Sequence, residues 1–294
     1  MSAAGIVPDW LFSLVAATAI FAVMFDLGLA IVVAELRGVA SRRGLMLRGL
    51  FAVLIAVPAL AWLIARIADL PRAAEVGILL MAISPGAPIA LRRSLAAGGH
   101  RSYAPALQIA VTLVAALTMP LWIALFSEFY AGHASAAPEH VAEQVFLAQL
   151  LPLGLGMATR RLFPEWSARF ASGLHRAASA MMVLLLILAL VDAWDVVVGA
   201  GLRVTLTIVA ITVLALAVGH HLGGPEPATR TATAISSAAR NPALALLVAT
   251  LNNASPAVSA TILAYLLIGA ATVLPYAAWR QRARKAARPE RAEM

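Results

Sequence analysis

The chain has 294 residues, 62% of them hydrophobic and 12% charged, with a net charge of +8 and a mean hydropathy of +0.89. Soluble domains run near half apolar and a quarter charged, so this composition cannot cover a water-facing surface. It contains no cysteine, which excludes disulfides, thiolate metal sites and a cysteine nucleophile.

A helix needs about 20 apolar residues to cross the hydrocarbon core. Nine segments meet that length: 10–34, 44–66, 74–97, 103–127, 141–160, 173–193, 196–219, 228–251 and 257–279. The first holds Asp26, the single acidic residue well inside a predicted span. The stretch before Trp10 has no Lys or Arg, so the segment lacks a leader's basic start and is expected to remain in place. The third is interrupted by Ser84-Pro85-Gly86-Ala87-Pro88 and carries Arg92 and Arg93 in its second half. The fourth contains Thr112 and Pro120. A polar, acidic connection follows around 128–140. His220 and His221 end the seventh; neighbours on a helix point in different directions, so they read as an interfacial pair, and no metal site is expected. The eighth is interrupted by Ser236-Ser237-Ala238-Ala239-Arg240-Asn241-Pro242, and residues 280–294 form a basic tail.

Basic residues cluster on the cytoplasmic side of membrane proteins. With the N-terminus outside, the inner loops hold Arg37, Arg42, Arg43 and Arg48, then Arg92, Arg93 and Arg101, then Arg160, Arg161, Arg169 and Arg176, then Arg230 and the tail. The outer side keeps Arg66, Arg72 and Arg203. The charge surplus is therefore explained by topology, and no nucleic-acid partner is expected. The expected fold class is an all-α polytopic membrane bundle in the inner membrane, a single domain with its C-terminus in the cytoplasm. Tryptophans such as Trp62, Trp122 and Trp279 fall near segment ends, as in an aromatic belt.

Proline removes a backbone donor and clashes with the preceding turn. In lipid the freed carbonyls must find partners or line a wet cavity. Pro120 follows Pro85 by 35 residues, and Pro275 follows Pro242 by 33. Both units read as broken helix, short connection, full helix. They lie five spans apart and so enter the membrane in opposite senses. That pattern predicts inverted repeats with a passenger bound where the two broken helices cross.

At these residues the chain resembles the bile acid:sodium symporter family. The likeness rests on Ile83-Ser84-Pro85-Gly86-Ala87-Pro88 at the first break, Ser236 to Asn241 at the second, and Met24-Phe25-Asp26-Leu27-Gly28-Leu29 before the basic loop Glu35 to Arg48. The resemblance implies two inverted units, here with nine spans because the first of ten is lacking. It implies a panel of spans 10–34, 141–160 and 173–193 moving against a core of 44–127 and 196–279. It also implies sodium ligands, and here the chain departs. Ser236 stands where the family has a glutamate, Arg240 where it has a glutamine, and Ala90-Leu91 where it has a Ser-Asn pair. Thr112 matches one remaining ligand position. These departures leave sodium coupling doubtful.

An intramembrane charge costs about 2.5–3.5 kcal/mol on insertion scales, and arginine stays protonated. Arg240 therefore needs compensation, either from Asp26 or from an anion in a wet cavity. A guanidinium fork suits a carboxylate or sulfonate, which makes Arg240 the leading substrate-binding candidate. Ser84, Gly86, Thr112, Ser236, Ser237 and Asn241 surround the breaks; the serines and Asn241 offer hydrogen bonds to a passenger or to a neighbouring helix. Arg92 and Arg93 line an inner vestibule or snorkel to headgroups. Asp26 is a proton carrier or an ion-pair partner. No Gly-x-x-x-x-Gly-Lys, His-Glu-x-x-His or Gly-x-Ser-x-Gly sequence occurs, so neither ATP use, a cofactor nor an enzyme activity is expected. The expected function is secondary transport of a small organic anion by alternating access. An auxin-efflux-like carrier and a non-transporting sensor or scaffold are the alternatives.

Overall fold

The computed structural model describes residues 9–30, 43–86, 88–129, 140, 143–144, 146–192, 199 and 201–286. The loop basic residues Arg37 and Arg42, Ala87 in the first break, most of the acidic connection and the tail beyond Ala286 lie outside the described residues.

Every apolar segment read from the sequence is mainly helical where it is described, with the two expected interruptions left non-helical at 84–86 and 239–241. In chain order the elements are α1 (Asp9–Ala30), α2 (Arg43–Phe51), π1 (Ala52–Ala56), α3 (Val57–Ile67), α4 (Arg72–Ile83), α5 (Pro88–Ala96), α6 (Tyr103–Phe129), π2 (Phe146–Leu150), α7 (Leu151–Leu162), α8 (Pro164–Asp192), α9 (Gly201–Leu222), α10 (Pro227–Ala238), α11 (Pro242–Leu251) and α12 (Pro256–Ala286). Among the described residues there is no strand, only one isolated antiparallel bridge. Among the described residues three rods are long and apolar enough to cross a membrane: 43–67, 201–222 and 256–286. Residues 103–126 make a fourth if their two halves, bent by 50°, count as one span. The bend falls at residue 116, four before Pro120, where a proline ring meets the carbonyl of the preceding turn.

Two helices run further than the hydropathy suggests. α8 begins at Pro164 rather than near 173, because a proline at the first helical position is preorganised and needs no N–H there. α12 continues through Arg280, Arg282, Arg284 and Lys285. These are good helix formers placed where the C-terminal dipole favours cations. Arg280 also ties this end down, donating to Thr231 Oγ1 at 2.8 Å and Pro227 O at 2.9 Å.

Stripes of large apolar side chains face outward at helical spacing, such as Leu47, Phe51 and Ile55 on one rod and Leu113, Leu117, Leu121 and Leu125 on α6. In water such stripes would be a liability; in lipid they are the solvent-matched face. Inside, two helix pairs approach until backbones touch. Gly28 of α1 meets Gly156 of α7, and Gly219 of α9, with Gly223 just past that helix, meets α10. Lipid gives no hydrophobic drive between helices, so small residues that allow close van der Waals contact supply the association. α1 packs mainly on α7 and α8, while α9, α10 and α12 pack on one another and on α3 and α4.

Candidate functional site

Proline chemistry sets both helix breaks. The residue before a proline is pushed out of the α region, and Ser84, ahead of Pro85, has φ −102° and ψ 75°. Gly86 then takes φ 85°, a left-handed conformation that costs a side-chain-bearing residue about 1–2 kcal/mol. α5 starts at Pro88. At the second break Ala239 is extended, and Asn241, ahead of Pro242, has φ −97° and ψ 94°. The Asn241 side-chain oxygen accepts from Leu244 N–H at 3.3 Å and caps α11.

The two breaks lie against each other. Pro85 and Arg240 form the antiparallel bridge, and Asn241 N–H donates to Ser84 O at 2.8 Å. Four half-helices therefore converge on one point: α4 and α10 end there, and α5 and α11 begin there.

Arg240 is 5% exposed and its guanidinium is held by main-chain oxygens. It donates to Ala82 O at 2.8 Å, to Ser237 O at 2.6 Å and to Val53 O at 3.2 Å. Each acceptor is a carbonyl that its helix leaves unused. Ala82 and Ser237 lie in the last turns of α4 and α10, where no following N–H is available. Val53 is freed by Pro58. The Val57 N–H reaches back five residues to Ala52 O, forming π1. Pro58 has no N–H, so neither Val53 O nor Leu54 O finds an ordinary helical donor. Arg240 takes the first, and Trp122 Nε1 takes the second at 2.8 Å.

The other residues singled out by sequence fall as follows. Asp26 does not reach Arg240: its carboxylate pairs with His175 Nδ1 of α8 at 2.5 Å. The reason is helix packing, since α1 lies along α8. Ser84 and Ser237 are fully buried, and their hydroxyls have no partner among the described residues. Ser236 is buried in the last turn of α10. Thr112 is buried on α6, opposite Gly86, and its hydroxyl returns to Gln108 O at 2.9 Å. Arg92 is exposed and Arg93 half-buried along α5, one turn or more past the break, and neither joins the crossing by a hydrogen bond or ion pair among the described residues.

Sequence reading passed over Gln108 and His175. Gln108 is 2% exposed, its Nε2 lacks a partner, and it faces Gly86. A lone amide four residues before Thr112 in an apolar helix was the available signal. His175 lies in an amphipathic stretch and gave none.

Residues 76–127 and 227–289 contain no Asp or Glu. The crossing thus combines a buried guanidinium with the N-terminal ends of α5 and α11, which carry partial positive charge; the carboxylate of α4, Glu75, sits in its first turn, at the far end from the break, and pairs with Arg72 at 3.1 Å. Among the described residues there is no group of three or more His, Asp or Glu that would hold a metal ion.

Residues 17–200, more than half of the chain, match the sodium bile acid symporter family. The chain belongs to the sodium bile acid symporter family. It is therefore a multi-pass membrane protein of a transporter family. The match includes the first break and stops before the second. The chain is also similar to the P3 protein of Homo sapiens, 28% identical over 191 residues, and to that of Bos taurus, 29% identical over 194. Each alignment covers 64% of this chain and 39% of the relative, so the chain matches about two fifths of the length of these curated relatives.

Proposed function

We propose that this symporter-family protein is a secondary transporter that carries a small organic anion across the inner membrane by alternating access, with the anion bound beside the crossing. The observation that carries the reading is the meeting of Pro85 and Arg240 in a region supplied with positive charge and no carboxylate. Backbone that is neither helix nor strand is tolerated at membrane depth where it lines a cavity or is buried in protein, and paired broken helices are a common carrier design. Nα ends of α5 and α11 offer dipoles suited to an anion. Two donors without a partner among the described residues, Arg240 Nε and Gln108 Nε2, lie in the same neighbourhood and would donate to an anion's oxygen or to a bridging water.

In this reading the chain crosses nine times, as two inverted units, with the N-terminus outside. The panel is α1 with π2, α7 and α8. It rests on the core through apolar contacts: Ala19, Ile20 and Met24 of α1 and Leu185 of α8 share a cluster with Ala243 and Leu247 of α11. Ala243 follows the break directly, so panel movement would open the crossing to alternate sides. Contacts of this kind lack directional bonds and can slide. Arg240, with its terminal nitrogens spent on carbonyls, acts on the anion through charge and through Nε, with Ser84, Gly86, Thr112, Ser236, Ser237 and Asn241 shaping the site. Arg92 and Arg93 would draw anions toward the inner opening.

The test is uptake into proteoliposomes of labelled carboxylates and sulfonates, with an unloaded or anion-loaded lumen. Saturable uptake that Arg240→Gln weakens is expected. A well-folded protein that moves none of the panel in either direction would leave a membrane sensor or scaffold as the better account.

A further inference from the structure

The family's name raises the question of whether a sodium ion fits this crossing. Carriers with broken helices commonly hold their coupling cation on unwound carbonyls and on the C-terminal ends of half-helices. Such carbonyls occur here, and they are already taken. Ala82 O and Ser237 O are the C-terminal oxygens of two half-helices, Val53 O is released by Pro58, and all three receive Arg240. We infer that the guanidinium of Arg240 is a covalently tethered cation that does at this crossing what a dissociable inorganic cation would do, so that the transport cycle needs no sodium.

Three features carry this. The three acceptors come from three separate elements, π1, α4 and α10, so the guanidinium joins them as a bound cation would. The charge is permanent, because arginine does not lose its proton at any physiological pH. A second cation would meet like charge without compensation, since neither 76–127 nor 227–289 supplies a carboxylate. Hard cations take several oxygen ligands, commonly with carboxylates among them; the oxygens without a partner here are two neutral hydroxyls, Ser84 Oγ and Ser237 Oγ, and beside them Arg240 Nε and Gln108 Nε2 are N–H donors, which suit an anion or water. A sodium ion therefore does not fit the residues present. The inference deepens the anion-carrier reading and rests on it for its transport consequence. Its binding consequence stands alone.

Three measurements test it. The first needs no flux and no variant: thermal denaturation of the purified full chain in sodium chloride, potassium chloride and choline chloride at equal ionic strength. A ligand that binds the folded state raises its midpoint with concentration. The expected result is the same midpoint in all three salts up to roughly 200 mM. A sodium-specific rise overturns the inference while leaving anion transport intact. The second uses Arg240→Ala, which removes the tethered cation and leaves its three acceptors. Methylguanidinium at roughly 10 mM, too dilute to denature, is expected to raise the midpoint of Arg240→Ala and leave the parent protein unmoved. If Arg240→Ala does not fold, Arg240→Lys, a compact cation that cannot span three acceptors, takes its place and should melt below the parent in every salt. A variant that melts with the parent overturns the staple role. In proteoliposomes, anion exchange should proceed within twofold when choline replaces sodium. A tenfold dependence on sodium refutes the inference, whereas absence of all anion flux refutes the carrier reading and leaves the salt and rescue results to decide the cation's role.

Discussion

Gly219 offers a test in which the magnitude can be worked from interatomic distances. A Cβ placed there would lie 2.6 Å from Ala234 Cα, 2.6 Å from Thr233 O and 2.6 Å from Ser237 Oγ. Two of these are backbone atoms of α10, so no rotamer change relieves the clash; α10 must move by close to 1 Å. Overpacking of this kind costs about 1–3 kcal/mol, and the better helix propensity of alanine returns roughly 0.5–1 kcal/mol. The net loss should be about 1–2 kcal/mol, or a fall of roughly 2–6 °C in the thermal midpoint. α10 carries Ser237 and leads directly into Arg240, so the same displacement should lower anion uptake. Gly154→Ala and Gly173→Ala are the controls, because a Cβ at either position meets nothing within 4 Å. They should match the parent or melt slightly higher. The assay is thermal denaturation in one detergent, followed by uptake. If Gly219→Ala melts within 1 °C of Gly154→Ala, the close approach of α9 to α10 is not a constraint on the crossing and the reasoning fails.

Further outcomes follow from the same geometry. Trp122→Phe strips the donor from Leu54 O, which should cost about 1–3 kcal/mol and lower the thermal midpoint; a midpoint equal to the parent's would mean that this bond contributes nothing. Gly86→Val places a branched side chain at φ 85° with its Cβ 3.1 Å from Thr112 Oγ1, and should reduce uptake more than it reduces stability, with Gly86→Ala intermediate. Asp26→Asn removes the charge partner of His175; if the pair carries a proton during transport, uptake driven by a pH gradient should disappear, and a drive that survives assigns the pair to packing between α1 and α8.

Much of the architecture was legible from composition because lipid leaves few options: length and hydropathy alone mark a helix. Proline position added the two breaks, since Pro85 and Pro242 remove donors wherever they stand. The pairing of those breaks followed from a pattern of segments rather than from any one residue, and the bridge between Pro85 and Arg240 agrees with it. The partners of the charged groups were not legible. Asp26 and Arg240 are the obvious complementary pair in a list of intramembrane charges, yet helix packing sends one to His175 and the other to carbonyls. Backbone acceptors have no letter in a sequence. They become available only through local geometry, and that geometry here depends on Pro58, whose consequence for the fold is visible only when π1 and Arg240 are seen together.

That dependence connects distant parts of the chain. A cation within lipid must find oxygen, and a regular helix has no oxygen to spare, because every carbonyl is bonded four residues on. Spare carbonyls arise at helix C-termini and where a proline has removed the donor. This chain brings two of the first kind and one of the second to the same guanidinium, with Trp122 occupying the neighbouring carbonyl that Pro58 also releases. Removing Arg240 would therefore leave three buried acceptors unsatisfied in three elements at once, while removing Pro58 would withdraw one acceptor and leave two. The two changes should not be additive: in a cycle of Arg240→Gln, Pro58→Ala and the double variant, the loss from the double change should be smaller than the sum of the single losses, because Pro58→Ala supplies the donor that Arg240→Gln takes away. Additive losses would mean that the π segment and the guanidinium are independent features, and the crossing would then have to be explained by the half-helix ends alone.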